Sequence, residues 1–271
     1  MKATKVMMLS IVLLGFSFWI QGQTERTGTK VDILTNKGTI TVLLYDETPI
    51  HRDNFVKLVK ENYYNHIRYH RVINNFLIQV GDPKARRETE SEETHYTPEH
   101  RTIPAEIIPT AFHRRGVLNA ARMGEDQNPY LESSSTQFTI IQGRIHTDAS
   151  LNSADIRIEG FYRAHLQAMY ALELKNSDPE LAKEENKDAL QARIDTLIAE
   201  KMEEVGDSLK IPEAHRAVYK RIGGTPHLDF NYTVFGEVLE GMDVVDAIAA
   251  VPVERERPIE EVYIIRMQLH E

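Results

Sequence analysis

The sequence predicts a mostly β fold, a closed β-barrel with helical lids, interrupted by an α-helical insertion. Three observations carry this. Residues 30–142 and 223–271 consist mainly of short alternating runs bounded by Gly, Pro and Asn. Those two stretches hold one helical pattern near each end. Over 143–222 the apolar spacing switches to that of amphipathic helices.

The chain opens on Lys2 and Lys5, then an apolar run over 7–20 and a polar Gln21-Gly22-Gln23. That run is shorter than the roughly 20 residues that span a bilayer, so residues 1–22 read as a secretory signal cleaved near Gly22. This predicts an exported protein, periplasmic or secreted, with no stable membrane insertion after cleavage. The chain contains no cysteine, which excludes disulfides, lipid attachment through a thiol, and thiol catalysis. A formal charge of −9, about −11 without Lys2 and Lys5, argues against nucleic acid and anionic membrane as partners.

Residues 30–35 and 39–45 read as a hairpin through Asn36-Lys37-Gly38. Residues 48–63 read as a helix, with Thr48 as cap, Pro49 in the first turn, and Phe55, Leu58 and Val59 at helical spacing. Strands over 68–73 and 76–81 meet through Asn74-Asn75. Alternation puts Arg71 and Ile73 on one face of the first strand, and Leu77 and Gln79 on one face of the second. With Phe76 nearby, that face mixes a cation and an amide with bulky apolar groups. A solvated face rarely carries so much apolar surface and a core rarely carries Arg, but a shallow binding groove carries both.

Residues 84–101, with Glu88, Glu90, Glu92 and Glu93, read as a surface loop. Apolar character resumes over 102–108. Strands follow at 117–121 and 136–141, the second with Phe138 and Ile140 on one face and Gln137 and Thr139 on the other. The insertion carries three helical signals. The first spans 158–174; the second opens on a capping-box pattern, Ser177-Asp178-Pro179-Glu180, and carries Leu190, Ile194, Ile198 and Met202 on one stripe. The third spans 212–222. A strand at 232–238, a helix at 241–250 and a strand at 261–269 close the chain.

Several blocks resemble the cyclophilins, the barrel-type peptidyl-prolyl isomerases: YHRVINNFLIQVGDP at 69–83, GVLNAAR at 116–122, TQFTI at 136–140 and HLDFNYTVFGEVLEGMDVVDAI at 227–248. They stand in the family's order and cover nearly all of the chain outside the insertion. The resemblance implies an eight-stranded antiparallel barrel capped by two helices, with a peptide groove on its outer face. It implies Arg71 as the catalytic arginine and Gln79 as the groove glutamine. It makes Phe76, Leu77 and Leu228 the lining of a proline pocket, and Ala121 and Gln137 contacts to the residue before proline. Four groove positions depart from the eukaryotic pattern. Arg122 stands for an asparagine that offers its backbone to substrate, Thr139 for a phenylalanine, His227 for an aromatic residue and Tyr232 for a histidine. Thr139 removes an aromatic wall that Tyr232 could partly refill.

The implied chemistry is isomerisation of X–Pro bonds in unfolded or extended polypeptides, without cofactor or metal. The alternative is a proline-peptide-binding or chaperone module with weak or no isomerase activity. Other signals are weaker. His66 and His70 would need a helix to share a metal, and they fall in a turn and a strand. His95 and His100 invite a metal reading as well, against which structural histidines are favoured. Ser133, Ser134 and Ser135 lack the G-x-S-x-G pattern of a nucleophile elbow.

Overall fold

The computed structural model describes residues 26–87 and 101–270. The apolar leader and the Glu88–Glu93 cluster therefore lie outside the described residues. The first part of the chain forms β1 (Gly28–Thr35), β2 (Gly38–Tyr45), α1 (Pro49–Lys60), β3 (Arg71–Ile73) and β4 (Leu77–Val80). Next come β5 (Thr102–Ile103), β6 (Val117–Ala120), β7 (Ser133–Ser134) and β8 (Phe138–Ile141). Three helices follow, α2 (Asp148–Ser177), α3 (Lys187–Val205) and α4 (Glu213–Arg221). The chain ends with β9 (Val234–Glu240), α5 (Met242–Ala249), β10 (Val253–Glu254), β11 (Arg257–Pro258) and β12 (Ile264–Leu269).

Eight strands form one antiparallel sheet in the order β12-β1-β2-β9-β6-β8-β4-β3. The sheet curls but stays open, which corrects the closed barrel expected from the sequence. The reason lies at its edges. β3 is three residues long, and the Val72 N–H is taken by the Glu256 carbonyl at 2.7 Å, from the turn between β10 and β11. β12 instead meets the segment ahead of β3. His66 N–H donates to the Ile264 carbonyl, Tyr69 N–H to the Val262 carbonyl, and Ile264 N–H to the Ile67 carbonyl. These single bonds draw the edges together without a ladder.

The concave side is filled by alternate residues of every long strand, including Val31, Ile33, Val42, Leu44, Ile78, Val80, Leu118, Ile140 and Ile264. Phe55, Leu58 and Val59 of α1 and Val245, Ile248 and Ala249 of α5 pack on the same cluster. Fully burying each such side chain is worth about 1.5–3 kcal/mol, so this core dominates the fold. Gly38 lets α5 approach: its φ is 139°, and a Cβ there would lie 2.7 Å from a Val244 methyl.

Two helix starts differ from expectation. Thr48 makes no side-chain cap to α1. The Glu106 carboxylate does that work from a distant loop, accepting from Ile50 N–H at 3.1 Å, His51 N–H at 2.9 Å and the His51 ring at 2.7 Å. A carboxylate there satisfies orphan donors and complements the helix dipole. The Ser177–Glu180 pattern does not open a helix, because α2 runs through to Ser177. Asp178 Oδ1 accepts from Leu181 N–H inside the connecting turn. The capping box that exists is at the start of α2, between Thr147 and Ser150.

α2 packs in two halves. Leu151, Ala154 and Ile158 cluster with Ile211 and Tyr219, against Phe112 and Phe230. Farther along, Leu166 clusters with Leu190, Ile194 and Ile198 of α3. Among the described residues no helix is long and apolar enough to cross a membrane.

Candidate active site

The sheet's second face carries the candidate site. Alternation sends Val72, Ile78, Ile140 and Leu118 into the core and leaves Arg71, Gln79, Thr139 and Asn119 on the opposite face. Strand pairing sets these four in one row: Arg71 opposite Gln79, Gln79 opposite Thr139, and Thr139 opposite Asn119. The next row holds Ile73, Leu77 and Ile141. Leu77 and Ile141 join Leu43, Tyr45, Val117, Leu228 and Val234 in a second apolar cluster, with Phe76 and Tyr232 partly buried against it. A polar row and an apolar floor therefore run side by side.

The Arg71 side chain is 38 % exposed, and its Nε donates to Glu256 Oε2 at 2.7 Å. Its two terminal nitrogens have no hydrogen-bond partner among the described residues. Gln79 Nε2 donates to Gln137 Oε1 at 3.1 Å, which ties β4 to the start of β8. Thr139 is 3 % exposed, and its hydroxyl donates to the Asn119 side-chain carbonyl. It is the buried member of the polar row, with its polar group satisfied by Asn119, which the sequence alone did not single out.

Phe76 stacks on His227, with centroids 5.6 Å apart and planes 19° apart. Burial, aided by the nearby Arg157, His113, His146 and Arg144, pulls the His227 pKa down to about 3. The ring is therefore neutral near pH 7 and behaves as an aromatic wall. Leu228 is buried in the same short turn, Pro226–Leu228.

Ala121 has both backbone groups engaged: its N–H donates to the Gln137 carbonyl and its carbonyl accepts from Ser134 N–H. Arg122 differs. Its side chain is 2 % exposed, yet the residue as a whole is half-buried, so the exposed part is main chain. No backbone hydrogen bond engages it among the described residues. The guanidinium turns inward, donating to the carbonyls of Asn231 and Met123 and to Glu125. It lies 4.4 Å from the centre of the Tyr232 ring, whose other neighbour is His113 in an edge contact at 6.2 Å.

Beneath the site, the buried Asp229 carboxylate accepts from His113 N–H at 2.9 Å, from the His113 ring, and from the Tyr219 hydroxyl. The network joins α4 to the loop bearing His227 and Leu228. The structure thus gathers Arg71, Phe76, Leu77, Gln79, Gln137, Thr139, Leu228 and Tyr232 on one face, with Ala121, Arg122 and His227 around it. Sequence reasoning missed Asn119, Glu256 and the His113–Asp229–Tyr219 network. Asn119 was accessible from strand alternation, but Glu256 sits in a charged turn that reads as solvated surface.

A guanidinium fixed beside an apolar floor can donate a hydrogen bond to a group whose basicity rises during a reaction, while the floor holds a ring. Known proteins match this chain accordingly. The family model described as cyclophilin type peptidyl-prolyl cis-trans isomerase/CLD matches residues 30–156 and 219–269. A Staphylococcus saprophyticus protein provisionally named a peptidyl-prolyl cis-trans isomerase is 28% identical over 255 residues, 93% of this chain and 98% of its own. A similarly named Staphylococcus haemolyticus protein is 27% identical over 237 residues, covering 87% and 88%. The crystal structure of a Cryptosporidium parvum cyclophilin type peptidyl-prolyl cis-trans isomerase aligns at a TM-score of 0.52 and 18% identity, covering 90% of this chain and 99% of that one. The same parasite protein was also solved in the presence of the dipeptide Ala-Pro. At that identity the likeness speaks for the fold alone. The family match, though, takes in most of the chain and reaches every strand of the eight-stranded sheet, so this chain belongs to the cyclophilin-type peptidyl-prolyl cis-trans isomerase family.

Proposed function

We propose that this protein accelerates X–Pro isomerisation in unfolded or extended chains outside the cytoplasm, with Arg71 as its catalytic group. The observation that carries the reading is Arg71 itself: half-exposed, engaged among the described residues only through Nε, and on the row beside the Leu77–Leu228 floor. The uncatalysed barrier is lost amide resonance, about 18–20 kcal/mol, so no nucleophile or metal is needed. As the amide twists, the prolyl nitrogen becomes pyramidal and regains a lone pair. A fixed N–H donor stabilises that lone pair and has little to offer the planar ground state, which is selective binding of the transition state.

In this reading Phe76, Leu77 and Leu228 hold the proline ring, with Thr139, His227 and Tyr232 as surrounding walls. Gln79 and Gln137 hold the peptide on the carbonyl side, and Ala121 and the Arg122 backbone meet the residue before proline. Arg71→Ala, shown to be folded by circular dichroism, is expected to lose about 10²–10³-fold in kcat/KM on a proline peptide. Arg71→Lys is expected to recover little, because a flexible point charge replaces a planar fork. Full activity in a folded Arg71→Ala protein would sink the assignment.

Two further parts belong to the same proposal. Residues 1–22 act as an export signal to the periplasm, which mass spectrometry of the cell-derived protein would test by an N-terminus near Gln23. Residues 143–222 form an insertion in the sheet domain.

A further inference from the structure

The turn between β10 and β11 reaches the groove through one residue. Val253 pairs with Pro258 and Glu254 with Arg257, which leaves Arg255 and Glu256 as the two-residue turn. Both have positive φ, 48° and 66°, as the tightest hairpin turns require. Neither is Gly or Asn, so the conformation is held by its surroundings. Glu256 supplies the hold twice. Its carbonyl accepts from the Val72 N–H at 2.7 Å, and its carboxylate accepts from Arg71 Nε at 2.7 Å. The same residue therefore grips the strand that bears Arg71 and the guanidinium at that strand's edge.

We propose that Glu256 is the positioning residue for isomerisation: it fixes the Arg71 guanidinium through Nε and leaves the two terminal nitrogens for the substrate. This rests on the reading of Arg71 as the catalytic group. A long side chain at an exposed edge samples many rotamers, and a donor aimed at a transient lone pair works only in the fraction of time it is correctly oriented. Pinning Nε restricts that sampling without consuming the nitrogens at the tip. Because both partners are substantially exposed, the pair adds little to stability. Its contribution belongs in turnover.

The test uses the full chain and exchange rates of a proline peptide measured by NMR. Glu256→Ala is expected to lower kcat by about fivefold to tenfold with KM changed less than about twofold, because the interaction matters in the transition state. Glu256→Gln, which keeps an acceptor and the backbone contact, is expected to fall between Glu256→Ala and the native protein. The neighbouring Glu254→Ala is expected to change nothing. Combined with Arg71→Ala, Glu256→Ala is expected to add no further loss, since the two act as one unit. Native or faster turnover in both Glu256 variants, or a loss that simply adds to that of Arg71→Ala, would overturn the inference. If Arg71→Ala alone kept full activity, the reading of Arg71 would fall, which is a separate outcome.

Discussion

Arg122 occupies a groove position but turns its charge inward, which changes what the position does. The guanidinium spends its donors on Asn231, Met123 and Glu125 and lies over Tyr232, so a residue that reads as a charged groove contact works as a brace. Arg122→Ala would leave the Asn231 and Met123 carbonyls without these donors and Tyr232 without its stack. A loss of about 2–4 kcal/mol in unfolding free energy is expected in urea titration, with a higher KM for peptide. Asp229 makes a parallel case. Tyr219→Phe removes one donor from a buried carboxylate and is expected to cost about 1–3 kcal/mol, read by thermal unfolding. The sequence made Arg71 and Gln79 legible because alternation alone sorts them onto one face. The fates of Arg122 and Thr139 were not legible, since their partners Asn231 and Asn119 lie on other segments that only the folded sheet brings near.

Among the elements, the helices of 148–221 divide by what they touch. The first half of α2 and α4 share a core with Phe112 and Phe230, stapled by the Arg216–Asp155 ion pair and by Ile211 N–H on Asp155. The second half of α2 and α3 pack on each other through Leu166, Leu190, Ile194 and Ile198. Replacing residues 160–206 with a short flexible linker is therefore expected to leave a cooperatively folding, active protein. Removing 143–222 takes away Tyr219 and its bonds to Asp229, and is expected to cost several kcal/mol and disturb the loop bearing Leu228. Circular dichroism melts and turnover on both deletions would check this. Element types were legible from periodicity, but starts were less so. α1 is capped by Glu106 from another loop, and the Ser177–Glu180 pattern sits in the turn where α2 ends. A local capping signal cannot report a distant carboxylate or a helix that runs into it.

Across the whole molecule, an open curled sheet gathers its edges through single backbone bonds, and buried histidines make its stability sensitive to acid. Burial lowers the pKa of His51, His70, His146, His165 and His215, and most strongly that of His227, to about 3. The unfolded chain takes up these protons near 6.5 and the folded one resists them. Their stabilising share is thus present above about pH 6.5 and declines as pH falls below it, toward the folded pKa values. Tm is expected to drop between about pH 7.5 and 5, and to drop less in His227→Phe, which keeps an aromatic ring against Phe76 without a proton to gain. Eight antiparallel strands were legible as alternating runs. That the sheet stays open was not, because the competitor for the β3 edge is a six-residue hairpin, Val253–Pro258, whose four central residues are charged and carry no apolar pattern to announce it.

In the proposed mechanism Arg71 acts on the twisted amide and not on the resting peptide. The most direct measurement compares peptide affinity with on-enzyme exchange rate, by NMR on one proline peptide, for the native chain and Arg71→Ala. A transition-state role gives a dissociation constant changed by less than about threefold and an exchange rate lowered by about 10²-fold or more. An affinity loss that matched the loss of kcat/KM, with the on-enzyme rate intact, would contradict it.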